Sequence, residues 1–174
     1  MHNVMITVFC PDRAGLVSAI AGRLFDLGGN LGDASFAVLG GSAEFSAICH
    51  LPPHVAVPDL QSELQKLPEL ADAAINVQSF GAPAHAKTAE ISHVVTVSGG
   101  DRPGLIARLA EIFAGYKVNI VRMDAQTLPE SSQQRYVIRF ALAMPASAVA
   151  GCLAAIDSTA GEMGLSCGWT EEKR

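Results

Sequence analysis

Apolar residues recur along the chain with two alternating spacings, and the alternation predicts an order of strands and helices. A β-rich run at Val4–Phe9 precedes a stretch with the three-to-four spacing of a half-buried helix. The apolar positions of this helix are Leu16, Val17, Ile20, Leu24 and Leu27. After Asn30 the spacing changes to two, as in a strand with one buried face. The clearest such strand has its inward set at Tyr136, Ile138, Phe140, Leu142 and Met144.

The chain repeats itself at a shift of 89 positions, which carries Asp12 onto Asp101 and Asn30 onto Asn119. The motif D-R-x-G-L therefore occurs twice, each time between a β-rich run and a helical stretch. The second copy has about four extra residues in the loop Pro129–Gln133, where the first copy turns at Gly40-Gly41.

Each copy reads β-α-β-β-α-β, the split βαβ order. The second helices have apolar faces at Leu60, Leu64 and Leu67, and at Val149, Leu153 and Ile156. The last strands are predicted at Ile75–Phe80 and Leu165–Thr170, the second with Trp169 in the core. We therefore predict an α+β protein of two tandem ferredoxin-like domains, with antiparallel sheets and helices on one face. The expected boundaries are 1–80 and 91–174, joined by a linker at 81–90.

Composition and charge narrow the classes of protein. Hydrophobic residues make up 49% and charged residues 17%, so a packed core is expected and disorder is not. Neither a membrane span nor a signal peptide is recognisable. The cysteines lack C-x-x-C spacing, which favours free thiols in the cytoplasm; they are Cys10, Cys49, Cys152 and Cys167. The net charge of −5 and the absence of a basic run argue against direct nucleic-acid binding.

No arrangement of residues predicts catalysis, a metal or a cofactor. Cys49 and His50 point to opposite faces of a strand, and His54 does not complete a ligand set with them. The five histidines are scattered and form no nucleophilic triad with a neighbouring Ser or Cys.

The repeated motif offers chemistry suited to a zwitterion. Asp12 and Asp101 are expected to cap the first helices, with Pro103 in the first turn and Gly15 and Gly104 leaving room for close approach. A helix N-terminus attracts a carboxylate. Asn30 and Asn119, expected nearby in space, would donate and accept hydrogen bonds. The same residues are also ordinary structural choices at a cap and a helix exit, and both interpretations remain open.

The pattern D-R-x-G-[LV]-[VI] after a strand, with N-[LI] opening the next, resembles the ACT domain, a ligand-binding regulatory module, over nearly the whole chain. Met5–Val8 leading into Asp12, and Gln126–Pro129 before an inner strand, resemble the glycine cleavage system transcriptional repressor family. The resemblance implies ligand sites at an interface between ACT domains. Their residues would be Asp12, Arg13, Ala14, Gly15, Leu16, Asn30 and Leu31, and Asp101, Arg102, Pro103, Gly104, Leu105, Asn119 and Ile120.

The resemblance also implies a function. It predicts a non-enzymatic regulator, expected to be a homodimer, that binds a small amino acid such as glycine or serine. Its output would pass through a protein partner such as a transcription factor. The alternative is a detached regulatory subunit of an amino-acid or one-carbon enzyme. Ala14 departs from the proline retained as Pro103, so the two sites need not bind equally.

Overall fold

Two four-stranded antiparallel sheets form in the computed structural model, which describes residues 1–81, 89–129 and 134–172. The chain divides into two compact units, one on either side of residues 82–88. Most of the predicted linker and most of the loop Pro129–Gln133 lie outside the described residues.

The first unit has the order β-α-β-β-α-β and a sheet in the strand order β2-β3-β1-β4. Its elements are β1 (His2–Pro11), α1 (Leu16–Asp26), β2 (Asn30–Leu39), β3 (Ser42–Leu51), α2 (Val57–Gln65) and β4 (Ala74–Ser79). A short 3-10 helix at Pro68–Leu70, which the sequence pattern did not predict, follows α2. Gly40 and Gly41, both at positive φ, form the tight turn between β2 and β3.

The second unit has the same order, with sheet order β6-β7-β5-β8. Its elements are β5 (His93–Gly99), α3 (Leu105–Gly115), β6 (Asn119–Pro129), β7 (Gln134–Ala143), α4 (Val149–Glu162) and β8 (Ser166–Glu171). The predicted α+β class and the tandem ferredoxin-like arrangement are therefore confirmed, including the last strands within one residue at each end.

Each unit has its own core between the helices and one face of its sheet, as the period of two predicts. In the first unit the buried set includes Val4, Ile6, Val8, Phe45, Cys49, Leu60 and Leu64. In the second unit Phe113 on α3 meets Phe140 on β7 edge-to-face, with ring centroids 5.1 Å apart.

Two side chains depart from the predicted burial. Trp169 lies on the edge strand β8 and is 46% exposed, so its assignment to the core was wrong. Val17 is 42% exposed because the buried face of α1 is the narrower stripe of Leu16, Ile20 and Leu24. An edge strand has a neighbouring strand on one side only, so its side chains are less buried. The spacing of apolar residues does not reveal which strand lies at the edge.

Candidate functional site

The loop Asp12–Leu16 leads from β1 into α1, and its geometry depends on Gly15. Gly15 has φ +93° and occupies the N-cap position, and no side chain caps the helix. The predicted capping role of Asp12 is therefore wrong, because the helix begins at Leu16 and the capping position falls on the glycine. Asp12 instead donates its backbone N–H to the carbonyl of Gly41, 2.9 Å away, which ties the loop to the β2–β3 turn.

The start of α1 is open. The first intrahelical hydrogen bond of this turn runs from the N–H of Ala19 to the carbonyl of Gly15, at 2.8 Å. Within the described chain no residue accepts from the N–H groups of Leu16, Val17 and Ser18. No atom lies within 4 Å of where a Cβ on Gly15 would be, so the glycine serves the backbone conformation rather than close packing. Three amide groups at this helix start thus have no acceptor among the described residues.

The loop Asp101–Leu105 repeats this geometry before α3. Gly104 is the N-cap residue at φ +80°, again without a side-chain cap and with no atom near a notional Cβ. Asp101 therefore does not cap the helix, and Pro103 precedes the cap instead of standing in the first turn. The Leu105 N–H is turned back onto the Arg102 carbonyl at 3.1 Å, so this loop offers one free amide fewer than the first.

The ion pair beside the first loop is solvent-exposed and therefore weak. Arg13 lies 3.7 Å from Asp72, and both side chains are solvent-accessible. Such a pair contributes at most about 1 kcal/mol. Asp12, Ala14, Asp101, Arg102 and Pro103 are exposed, whereas Leu16 and Leu105 are buried anchors of their helices.

Asn30 and Asn119 do not lie beside these loops within their own units, which corrects the expectation of proximity. Asn30 stands opposite His50, and His50 stands opposite Asn3, near the beginning of β1. The loop follows Pro11 at the other end of that strand, about 26 Å away at ~3.3 Å per residue. In the second unit Asn119 faces Ala143, at the sheet end opposite the loop. Each unit therefore carries the two halves of the predicted site at opposite ends of its sheet.

A β-bulge follows each asparagine. The register shifts between Leu31 and Ala34 in β2, and between Ile120 and Arg122 in β6. Leu31 and Ile120 are half-buried and pack against their cores, which fixes the strand start. Both asparagine side chains are exposed. Bulges of this kind re-aim neighbouring side chains.

The strands that begin with these asparagines, β2 and β6, are edge strands of their own sheets. Each presents exposed apolar side chains: Phe36, Val38 and Leu39 on β2, and Val121, Met123 and Leu128 on β6. An edge with unpaired backbone groups and apolar side chains is a template for pairing with another strand.

The sequence interpretation did not identify the pair formed by Asn3 and His50. Nδ1 of His50 lies 2.7 Å from Oδ1 of Asn3, directly beside Asn30 in the sheet register. The sequence patterns had raised His50 only as a metal ligand or as a member of a nucleophilic triad, and supported neither role. The signal available in the sequence was its outward position on β3, but its neighbours depend on the pairing of three strands.

The cysteines are free, and burial is the main cause that raises the pKa of each thiol. For Cys49 the backbone N–H of Asn30 opposes this in part, whereas for Cys167 the pKa reaches about 11. Among the described residues no three His, Cys, Asp or Glu side chains are grouped to hold a metal ion. No described helix is long and apolar enough to cross a membrane.

Comparisons with known proteins agree with this fold. Residues 93–148 match the family model of the ACT domain. No curated protein matches the chain. An unknown protein from Galdieria sulphuraria superposes with a TM-score of 0.81 at 19% identity, covering 99% of each chain. A candidate glycine cleavage system transcriptional repressor gives 0.69 at 17% identity, over 99% of this chain and 98% of that one. The second unit thus matches the ACT domain in sequence over residues 93–148, and the full-length superpositions show that the chain shares its fold of two βαββαβ units with these proteins.

Proposed function

We propose that the protein is an amino-acid-binding regulator without catalytic activity, of the glycine cleavage system repressor type. The observation that carries the proposal is the pair of uncapped helix starts after Gly15 and Gly104, where three and two first-turn N–H groups respectively have no acceptor among the described residues. Backbone N–H groups at a helix N-terminus, with the partial positive charge of the dipole, bind a carboxylate.

The ligand site needs two ACT domains. Because Asp12–Leu16 and Asn30 lie at opposite ends of one sheet, a single domain cannot surround a small ligand with both. Antiparallel pairing of two edge strands would bring the loop of one domain to the asparagine end of another. The exposed apolar residues of β2 and β6 support such pairing. The loop would hold the carboxylate, and the asparagine end would hold the ammonium group.

Glycine or serine is the proposed ligand, because the exposed loops offer backbone amides that suit the carboxylate of a small zwitterion. Glycine has five heavy atoms and therefore gains at most ~7.5 kcal/mol, at ~1.5 kcal/mol per atom. The dissociation constant would then be no tighter than about 3 μM. The structural relative described as a candidate glycine cleavage repressor supports the assignment to this class of regulator.

The output of the regulator is proposed to pass through a protein partner such as a transcription factor, with the chain acting as a cytoplasmic homodimer. The net charge of −5 supports an indirect role rather than duplex binding. Affinity capture from a native lysate tests this. Recovery of a transcription factor supports the proposal, and recovery of a metabolic enzyme supports the alternative of a detached regulatory subunit.

Calorimetric titration with glycine and L-serine tests ligand binding directly. Asn30→Ala and Asn119→Ala are each expected to raise the dissociation constant about tenfold at one site, since hydrogen bonds to a charged ligand group are lost. Asn76→Ala, at an exposed position on β4, is the matched control and should bind as the wild type does. Absence of heat with either amino acid, together with an unchanged melting temperature, would refute the proposal.

A further inference from the structure

The two asparagine ends of the molecule differ chemically at one pair of cross-strand positions. At the Asn30 end, the row of Asn3, His50 and Asn30 crosses β1, β3 and β2 on the sheet face turned away from the core residues Val4 and Cys49. At the Asn119 end, Asn119 faces the methyl group of Ala143. The imidazole of the first unit thus has no counterpart in the second.

The bulge residues also differ in size between the two units, and the smaller bulge residue lies beside the larger cross-strand side chain. Gly32 occupies the bulge of β2, and a Cβ there would lie 3.2 Å from Nε2 of His50 and 3.3 Å from the carbonyl oxygen of Ile48. The bulge of β6 contains Val121 instead. A large ring lies over a glycine in one unit, and a small methyl group pairs with a bulky bulge in the other. The space beside Asn30 is therefore occupied by imidazole rather than by aliphatic carbon.

The orientation of the His50 ring determines what it offers. A carboxamide oxygen only accepts hydrogen bonds, so Nδ1 donates to Oδ1 of Asn3, 2.7 Å away. In the neutral ring Nε2 then carries a lone pair. Nε2 is directed towards the bulge of β2, and in the part of the chain that the structure describes no donor bonds to it. Nε2 of His50 is thus a hydrogen-bond acceptor that the bond to Asn3 fixes in position and that has no donor among the described residues. His50 lies directly across from Asn30 in the register of β3 and β2.

We infer that His50 is a specificity-determining residue of the site completed by Asn30, and that its Nε2 accepts a hydrogen bond from the ammonium group of the bound amino acid. The inference rests on the proposed function. If a helix start holds the carboxylate, the ammonium group faces the asparagine end, where acceptors are required. Asn30 supplies one acceptor in its carboxamide oxygen, and His50 supplies a second.

The second site lacks this acceptor. Ser92, the residue before β5, has an Oγ that accepts from the N–H of Met144 at 3.0 Å and donates to the Leu142 carbonyl at 3.3 Å. The Asn119 end therefore has the methyl group of Ala143 at the position that the imidazole of His50 occupies in the first unit. The site with His50 should discriminate more strongly between glycine and glycolate, which has the same carboxylate but a hydroxyl in place of the ammonium group.

The test uses the full chain carrying Asn119→Ala, in which binding at the second site is weakened. In this background His50→Ala is expected to weaken glycine binding ~10-fold or more, since hydrogen bonds to charged groups contribute most strongly. Glycolate binding should change little, so the preference for glycine over glycolate falls by the same factor. His50→Gln, which restores an acceptor oxygen, should recover part of the preference. Ser46→Ala, also on β3 and facing the same way, is the control.

The outcomes separate the two proposals. Equal glycine affinity and equal glycine preference in His50→Ala would overturn the role of His50 while leaving the proposed function intact. No binding of any amino acid by the wild-type chain would overturn both. If His50→Ala does not fold, Asn3→Ala keeps the ring but removes its fixed partner. A lower glycine preference in Asn3→Ala then supports the inference, and an unchanged preference contradicts it.

Discussion

Gly15 and Gly104 occupy the same backbone position in the two copies, and their left-handed conformation makes the helix starts open. With no side chain capping the amides, the loop can turn away and leave them free. The sequence indicated the importance of the glycines but assigned the wrong role to the aspartates. Asp12 and Asp101 are displaced from the cap because a residue at positive φ intervenes, and propensity alone does not locate that residue.

Gly15→Ala is expected to lower the free energy of unfolding by about 1–2 kcal/mol, since the left-handed conformation is strained for an L-residue. No atom blocks the new methyl group, so the loss reflects backbone strain alone. Gly22→Ala is the matched control: Gly22 lies within α1 with open space around it, and alanine should stabilise the helix by about 1 kcal/mol. Urea unfolding of both variants measures the difference, and equal shifts of the same sign would contradict this account.

Lys117 is the one non-glycine residue at positive φ in the described chain, with φ 56° at the exit of α3. The first copy has Gly28 there, at φ 72°. Lys117→Gly is expected to raise the free energy of unfolding by about 0.5–1 kcal/mol, because the Cβ strain is removed. Lys117→Ala retains the Cβ and should have little effect. Thermal unfolding of the two variants distinguishes strain from loss of the lysine charge.

At the scale of elements, the period of the apolar residues was a sufficient guide to the fold. It predicted the eight strands and four α-helices because a buried face must recur at the period of its own backbone. It did not predict the short helix at Pro68–Leu70 or the exposure of Trp169. These depend on the path of a connection and on which strand lies at the sheet edge.

The helices α1 and α2 are linked by Glu63, which contacts Arg23 of α1 and Lys66. The hydrogen bond from Lys66, and then that from Arg23, hold the pKa of the Glu63 carboxyl below its usual value. A lowered folded-state pKa contributes stability above the unfolded value of about 4.3, and this contribution is lost as the pH falls through the folded pKa.

Glu63→Gln is therefore expected to melt at a lower temperature than the wild type at pH 7. The difference should shrink at strongly acidic pH, once the pH falls below the lowered folded-state pKa and the carboxyl is protonated in both states. Thermal melts at the two pH values provide the measurement. A constant difference across this range would show that the charge of Glu63 does not stabilise the helix pair.

For the whole molecule, the arrangement of site residues is the main result. Two separate cores carry two loops and two asparagines, and in neither unit do the loop and the asparagine meet. If the proposed ligand binds two domains at once, it favours the folded and associated state together, and this coupling would convert ligand concentration into assembly.

Glycine at one hundred times its dissociation constant is expected to stabilise the folded protein by about 2.7 kcal/mol for each occupied site. The melting temperature should therefore keep rising with the logarithm of the glycine concentration above the dissociation constant. Asn30→Ala combined with Asn119→Ala should remove most of this rise. Glycolate at the same concentrations is the ligand control, and an equal rise with glycolate would contradict recognition of the ammonium group.

The amino-acid sequence by itself determined the duplication, the element order and the polar residues that recur in both copies. The period of the apolar residues and the composition of each motif depend on residues close in the chain, so both can be recognised without coordinates. Only the tertiary structure decided that Asn30 lies far from Asp12 and beside His50. The reason is that strand register joins residues distant in sequence: the pairing of β1 with β3, and of β3 with β2, decides which side chains become neighbours.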